Sequence, residues 1–425
     1  MILKLLKITI FLEGLVSTIS IISFKGFLLV HVFLVISIIL SFIYISISKK
    51  LGSLNNDWLL MISLAILFYA ATLIGSVNSN ILSGLISSQV FLLTFFSIVL
   101  YYILDSDLKF ILIFIKGFIY SAIIESLYAF IDVLYFYLSS NHKSLNVLIP
   151  KYLTLKSNSH LLTNFVNYGH LLLYRSSGLS WDPGMIFTAV VLAFILLNEN
   201  LISIKHKKFF LIIMFVAVII SISRVAIVAL FIYFIIKIFK NKNLIIKRRK
   251  IKILNFLPIF SVFFLFIIGF FTPYLSYTNK LLTAGNERHL KYFSSIIDYY
   301  KANVFQILFG FGYKGAGVFF NKYVIWRYAV YHIYYNANIG NFGPPSILTD
   351  LFLFGGLIGI IFWLYSYFFT FFYGNNEIKL IMVVLIFIMF AAAIGSVWFN
   401  SIYISLFSMS YHYKNKRDKL NIYKS

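Results

Sequence analysis

Cysteine is absent from the 425 residues, which excludes a disulfide framework, a haem-attachment motif and a thiolate metal site. Charge is scarce as well, because 12% of the residues are charged, against roughly 25% in an ordinary soluble domain. Acidic residues are the scarcest, with 13 Asp and Glu against 36 Lys and Arg, which gives a net charge of +23. These shortages exclude a soluble globular protein. A hydrophobic share of 61% and a mean hydropathy of +0.92 indicate that lipid surrounds most of the chain.

Long apolar runs predict membrane-spanning helices, and a run such as residues 27–47 lacks the alternation of a transmembrane barrel. Two further segments, 208–240 and 378–411, are too long for one ordinary span. The sequence therefore predicts an all-α, polytopic membrane helical bundle of about 12 spans, with residues 1–425 forming one integral membrane domain. The clear single spans are predicted near residues 5–23, 26–48, 57–76, 80–104, 109–138, 184–200, 251–272 and 347–373.

Clusters of basic residues predict the orientation of the bundle, because cationic loops are strongly biased to the cytoplasm. Basic residues flank both long segments, so each is predicted to be a helical hairpin, turning near Ser221–Arg224 and near Gly395–Asn400. Both termini are then cytoplasmic. Two long loops face outward, at about 139–183 and at about 273–346, and the second is a large loop between late spans.

The outward loops carry more cations than the orientation rule favours, which indicates either an anionic ligand or lysines that reach the interface. Arginine in particular suits bidentate recognition of phosphate. Arg175 lies shortly before Asp182-Pro183, where proline predicts a helix start with Asp182 as its N-cap. A helix N-terminus favours anions, so Arg175 is a candidate for binding one.

The second outward loop contains Arg288, a glycine-rich stretch at 309–317, and a tyrosine-rich segment that includes Arg327, His332 and Tyr334. No GK[ST] follows the glycines, so a nucleotide site is rejected and tight turns are predicted instead. The neutral imidazole of His332 suits a general base or a hydrogen bond to lipid headgroups. The aromatic side chains fit either sugar stacking or an ordinary interfacial belt.

Charged residues inside predicted spans are costly in hydrocarbon and need an explanation. Glu125 and Asp132 are seven residues apart, so they share one helix face, which is predicted to point into the bundle. A proton or ion pathway is one interpretation. Metal binding lacks support, because no clustered motif of His and carboxylate residues with ligand spacing is present.

Several of these residues together resemble the bacterial family of O-antigen repeat-unit polymerases (Wzy type) and O-antigen ligases. The resemblance covers most of the chain. It rests on the profile of about 12 spans with a dominant late outer loop, and on scattered motifs in a shared order. Those motifs are Arg175-x-x-Gly178 with Pro183, Ser223-Arg224, Arg288, Gly310-Phe-Gly312, His332 and Leu353-Phe-Gly355-Gly356 with Gly359.

The family resemblance implies metal-independent glycosyl transfer at the outer face of the bacterial inner membrane, using glycans carried on undecaprenyl pyrophosphate. Arg175 and Arg288 are then expected to hold the leaving pyrophosphate, and His332 to activate or orient the acceptor hydroxyl. The candidate substrate-binding residues are Arg224, Asp182, Arg327 and Tyr334. We expect membrane lipids and a chain-length regulator as partners, with no cofactor, no metal and no nucleic acid.

Three alternatives remain open at the level of sequence. An O-antigen ligase would use the same donor but transfer finished polymer to lipid A core, and a Gram-positive capsule polymerase would share the same pattern. A flippase or other transporter of lipid-linked oligosaccharide is a different class. Carriers usually show repeated halves with sites at the midplane, whereas polar residues here gather in the outward loops. The segment around His332 matches the ligase pattern only loosely, and the composition rich in Phe, Ile, Tyr and Asn resembles the divergent polymerase branch. The resemblance therefore favours the polymerase in lipopolysaccharide or capsule synthesis.

Overall fold

A computed structural model of the chain is mostly helical, and three short β-hairpins are present among the residues that it describes. The described residues are 1–19, 23–24, 27–48, 54–76, 81–139, 143–148, 165–168, 171–176, 178–179, 183–239, 243–246, 249–252, 254, 259, 262, 301–312, 347–389 and 397–422.

The helices of the first half of the chain follow the predicted apolar segments closely. They are α1 (Ile2–Val16), α2 (Leu29–Ser48), α3 (Asn56–Gly75), α4 (Ile81–Leu104), α5 (Lys109–Leu138), α6 (Pro183–Asn198), α7 (Lys207–Ile220) and α8 (Arg224–Phe239). The prediction that α6 begins at Pro183 is confirmed. The long segment 208–240 does form two helices, and residues 221–223 separate them at the predicted place.

The second half contains the short helix α9 (Val304–Phe309), then α10 (Ile347–Tyr373), α11 (Asn376–Ile388) and α12 (Val397–Ile422). The strands pair as antiparallel hairpins: β1 (Ser23–Phe24) with β2 (Phe27–Leu28), β3 (Phe165–Tyr168) with β4 (Leu171–Tyr174), and β5 (Asn243–Ile246) with β6 (Arg249–Lys252).

Three predicted boundaries are wrong. Helix α1 ends at Val16 instead of near residue 23, since Ser17 and Thr18 interrupt the apolar run, and Ser23 pairs in strand β1.

The predicted span 251–272 cannot begin as a helix, because Ile251 and Lys252 pair in strand β6 with Leu244 and Asn243. Consecutive basic residues at 247–250 disfavour hydrocarbon, and the apolar residues beside them pair across the hairpin instead. Residues 397–400, predicted to lie in the turn of the last hairpin, belong to α12, and Gly395 lies outside the described residues.

Among the residues that the structure describes, four helices are long and apolar enough to cross a membrane: Leu29–Ser48, Asn56–Gly75, Lys109–Leu138 and Asp350–Tyr373. Shorter apolar helices are Gln89–Leu104, Ile186–Asn198 and Val225–Ile238. The chain is therefore a helical protein with the helices that a membrane protein needs, while the count of about 12 spans stays a prediction.

The chain divides into two compact units, of which the first comprises Met1–Ser53, Phe96–Ile235 and Val397–Ser408. Its centre is the crossing of α1 and α5, where Gly14 and Gly117 let the two backbones touch. A buried polar cluster lies beside this crossing. Ser37 donates to the Glu13 carboxylate at 2.7 Å, and Tyr101 donates to both Glu13 and the Ser37 hydroxyl. Helix α6 packs against α5 and α7, and its side chains from Ile186 to Leu197 are buried.

The second unit comprises Leu54–Phe95, Ile236–Ser396 and Met409–Ser425, and α10 packs against α3 at its centre. The helical path of α10 is broken at Gly356, whose φ is +58°. The short helix α9 docks at this break, and the Phe311 amide donates to the Leu353 carbonyl at 2.6 Å. Gly310 and Gly312 have φ of +78° and +77°, a backbone conformation that favours glycine, and Gly312 lies against Ser76. Residues 313–317 of the glycine-rich stretch lie outside the described residues, so the tight turns predicted there stay a prediction.

Candidate functional site

The second half of α5 has one apolar face and one face that carries two buried carboxylates. Glu125 and Asp132 are both fully buried, so the prediction that they point inward is confirmed. Seven residues of helix separate them by about 10 Å along the axis. On the opposite face the large apolar side chains are exposed, with Ile124, Leu127, Phe130, Ile131 and Leu134 between 40% and 54% accessible. The helix therefore has a lipid-compatible side and a polar side.

Asp132 binds two different parts of the segment that connects α5 to α6. One carboxylate oxygen accepts hydrogen bonds from the Ser144 hydroxyl at 2.9 Å and from the Leu145 amide at 2.7 Å. The other accepts from the Tyr174 hydroxyl at 2.8 Å. Three donors therefore satisfy this buried carboxylate and attach both parts of the connecting segment to α5.

Tyr174 is held on three sides. Its ring stacks on Phe136 with 4.0 Å between the ring centroids, and its backbone amide donates to the Tyr137 hydroxyl at 3.2 Å. Burial, with the Asp132 charge as a further cause, raises the pKa of Tyr174 far above its usual value. The hydroxyl therefore remains protonated and keeps donating to Asp132 throughout the neutral range.

Glu125 makes the second attachment, closer to the middle of α5. Its carboxylate accepts a hydrogen bond from the Leu179 amide at 2.6 Å and a longer one from the Thr18 hydroxyl at 3.5 Å. Thr18 also shares a short hydrogen bond with Ser121. Gly178 lies against the same carboxylate with φ +62°, where an added Cβ would overlap a Glu125 oxygen. A residue with a side chain would fit neither the backbone conformation nor the space.

Asn146 links the two attachments. Its side-chain amide donates to the Gly178 carbonyl at 3.0 Å, and its side-chain oxygen accepts from the Tyr128 hydroxyl at 2.7 Å. Its backbone amide donates to the Ser144 hydroxyl at 3.1 Å. We call the whole arrangement the α5 clamp: Thr18, Glu125, Tyr128, Asp132, Ser144, Leu145, Asn146, Tyr174, Gly178 and Leu179.

Arg175 lies between the two segments that the α5 clamp attaches to helix α5. It follows Tyr174 directly, and the next residue, Ser176, accepts a hydrogen bond from the Gly178 amide at 3.0 Å. The Arg175 side chain is half-buried, and its Nε atom is buried. The backbone of a permanently charged residue is thus held between two attachment points on one helix.

Of the remaining predicted site residues, Arg224 alone lies in the part of the chain that the structure describes. Arg224 is the first residue of α8, immediately after the turn at 221–223, which agrees with its predicted place at a hairpin. The other predicted residues lie outside the described residues: Asp182, Arg288, Arg327, His332 and Tyr334.

Sequence reasoning missed the residues that complete the clamp. Glu125 and Asp132 were identified as buried charges, but their partners Ser144, Asn146 and Tyr174 look like ordinary loop residues. The sequence contains one signal: a buried carboxylate requires hydrogen-bond donors. This requirement predicts polar partners but does not identify them. Within the described residues no group of three or more His, Asp or Glu side chains is placed to hold a metal ion.

The fold and this site define a class: a mostly helical protein, with helices suited to a membrane, that carries a fixed arginine on a clamped loop. Searches of protein-family models, of curated proteins and of solved structures each gave no match to this chain.

Proposed function

We propose that the protein is a polysaccharide repeat-unit polymerase of the bacterial inner membrane, which joins oligosaccharides carried on undecaprenyl pyrophosphate. The observation that supports this most is the position of Arg175, a permanent cation fixed beside a helix whose other face is apolar. A lipid-linked pyrophosphate needs this combination, because its phosphates lie at the boundary of the hydrocarbon while its chain stays in lipid.

The length of α5 is consistent with a phosphate site at the outer boundary of the hydrocarbon. About 35 Å of helix separate Lys109 from Asp132, which is enough to cross a hydrocarbon core of about 30 Å. With Lys109 at the cytoplasmic boundary, the Asp132 attachment lies at the outer boundary and the Glu125 attachment lies deeper. Arg175 is then held at the level of a lipid headgroup.

In the proposed reaction an acceptor sugar hydroxyl attacks the anomeric carbon of the donor glycan. A new carbon–oxygen bond forms, the bond from that carbon to the pyrophosphate oxygen breaks, and undecaprenyl pyrophosphate leaves with both bonding electrons. His332 takes the hydroxyl proton, and Arg175 and Arg288 stabilise the charge that develops on the leaving group. Arg224 binds a lipid phosphate, and Asp182, Arg327 and Tyr334 bind the glycan.

The carboxyl groups of the clamp bind donors of the protein itself. Hydrogen-bond donors surround Asp132, and both oxygens of Glu125 also accept hydrogen bonds. Arg175 supplies the positive charge that is proposed to bind phosphate.

Deletion of the gene tests the proposal in the source bacterium. We expect single repeat units with no polymer ladder on a glycan gel that separates lipid-linked from surface-attached material, and restoration of the ladder by the wild-type gene. Full-length polymer left on the lipid carrier would identify a ligase instead. Glycan trapped on the cytoplasmic side would identify a transporter, and an unchanged ladder would contradict all three.

Reporter fusions test the orientation on which the proposal depends. A reporter after Gly374 is expected to be active in the cytoplasm, and one within residues 280–330 outside it, because the basic loops favour the cytoplasmic side. Alkaline phosphatase and fluorescent-protein fusions at the same positions give opposite signals and control for expression. The reverse pattern would place Arg288 on the wrong side for the proposed donor.

A further inference from the structure

The α5 clamp holds the Arg175 turn at both of its ends. Asp132 binds Tyr174 immediately before Arg175, and Glu125 binds Leu179 four residues after it. Between these points the Ser176–Gly178 hydrogen bond closes the turn, and Asn146 fixes the Gly178 carbonyl from the side. The backbone of Arg175 is therefore fixed by contacts that the arginine side chain does not itself make.

The cost of this arrangement indicates a purpose beyond packing. Burying two carboxylates in a helix with an apolar face is unfavourable, and an apolar pair of similar size would pack at less cost. Both carboxylates nevertheless bind the same short turn. Together they hold the turn in one conformation. Such rigidity is needed where a protein cation must lie within a fraction of an ångström of the position at which negative charge develops in the transition state.

We propose that Asp132 and Glu125 are positioning residues, which act through Tyr174 and Leu179 to hold Arg175 at the leaving pyrophosphate. This inference rests on the proposed function, because the pyrophosphate is the group to be met. Asp132 is the stronger of the two attachments: it has three donors, and its partner Tyr174 is the direct neighbour of Arg175. Loosening the Asp132–Tyr174 bond should therefore leave the fold intact but free the arginine.

Tyr174→Phe is the variant of choice. It removes only the hydroxyl that donates a hydrogen bond to Asp132, and it keeps the ring that stacks on Phe136. Asp132→Asn, of nearly the same shape, tests the charge. Tyr120→Phe is the matched control on the same helix. The Tyr120 ring packs against Phe11 and Phe210, and its hydroxyl makes no hydrogen bond to the described part of the chain.

Because the chain has no cysteine, the labelling rate of one introduced thiol can report on the turn without an activity assay. Arg175→Cys gives the chain a single thiol at the turn, and its reaction rate with an anionic methanethiosulfonate reagent can be measured on purified protein in detergent. We expect Tyr174→Phe and Asp132→Asn to raise that rate about tenfold to a hundredfold, the range that corresponds to losing a hydrogen bond to a charged group. Tyr120→Phe should leave it unchanged.

A second assay uses purified lipid-linked repeat units and the chain with Arg175 present. Tyr174→Phe is expected to lower kcat at least tenfold with KM changed less than threefold, since the turn loses its geometry rather than its charge. Equal labelling rates in all three variants would overturn the clamp as a positioning device. Faster labelling with unchanged kcat would overturn its role in the reaction. If the parent chain forms no polymer, the proposed function fails, while the labelling result still decides whether the clamp holds the turn.

Discussion

Arg175→Ala is expected to reduce polymer formation by roughly a hundredfold to a thousandfold, the loss typical of removing one preorganised electrostatic contact to a transition state. The reason is that the α5 clamp fixes the backbone of Arg175 before substrate arrives, so that its charge is proposed to be preorganised for the leaving pyrophosphate. The measurement is the glycan ladder from a deletion strain that expresses each variant, together with initial rates on purified lipid-linked repeat units. Protein levels must be equal across the variants.

The matched control is Lys143→Ala, which removes an exposed cation from the same predicted outward loop, next to the clamp residue Ser144. It should retain at least half of the wild-type rate, because exposed charges are well screened. Arg175→Lys distinguishes charge from the bidentate fork, and a partial loss is expected. Near-normal polymer from both Arg175→Ala and Arg288→Ala would contradict the role of these arginines at the pyrophosphate.

Hydropathy predicted most helix boundaries within a few residues. The predicted segment 109–138 coincides with α5, and 80–104 differs from α4 by one residue at its start. This agreement has a physical basis, because a backbone in hydrocarbon must satisfy its own hydrogen bonds, so a long apolar run has essentially one available structure. The break at residues 221–223 was predicted from charge instead, because the basic residues that flank the segment favour the cytoplasm at both of its ends.

Wrong boundaries were predicted where the backbone is not required to form a helix to satisfy its hydrogen bonds. Near residue 251 the basic residues allow an interfacial structure, and the backbone formed hairpin β5–β6 rather than a helix. Near residue 397 the sequence is apolar on both sides, so hydropathy could not locate the residue at which α12 begins. Both positions lie where local composition permits more than one structure.

The clamp could be predicted only in part. Spacing placed Glu125 and Asp132 on one face, but their partners come from positions as distant as Thr18 and Leu179. Such pairings depend on the tertiary fold and leave no pattern in one sequence. The same limit applies to the late loop, where Arg288 and His332 remain predictions from the family resemblance.

Gly117→Leu is expected to reduce the yield of folded protein at least tenfold. A Cβ at Gly117 would overlap the Phe11 carbonyl and lie 3.0 Å from the Leu15 amide nitrogen, so it would meet the backbone of α1. The reciprocal contact exists at Gly14, where an added Cβ would overlap the Phe114 carbonyl. Backbone cannot rotate away as a side chain can, and helix pairs in membranes depend on such close approach of small residues.

Gly117→Leu should also disturb the candidate functional site. Separating α1 from α5 would pull Thr18 away from Ser121 and Glu125, which removes the support of α1 from the α5 clamp. Overpacking typically costs 1–3 kcal/mol even in cores that can adjust, against a total stability of roughly 5–15 kcal/mol. A leucine against fixed backbone belongs at the upper end of that cost or beyond it.

Fluorescence-detected size-exclusion chromatography of a tagged chain measures this effect as the area of the monodisperse peak. Leu127→Phe is the matched control, since it enlarges a side chain on the same helix at a position that is 42% exposed and free to expand. Gly117→Ala should fall between the two, because its single added carbon still overlaps the Phe11 carbonyl. A normal peak from Gly117→Leu would show that α1 and α5 do not cross at these glycines. The α5 clamp would then lose its contact with Thr18, and its hold on the Arg175 turn would have to come from α5 and the loop alone.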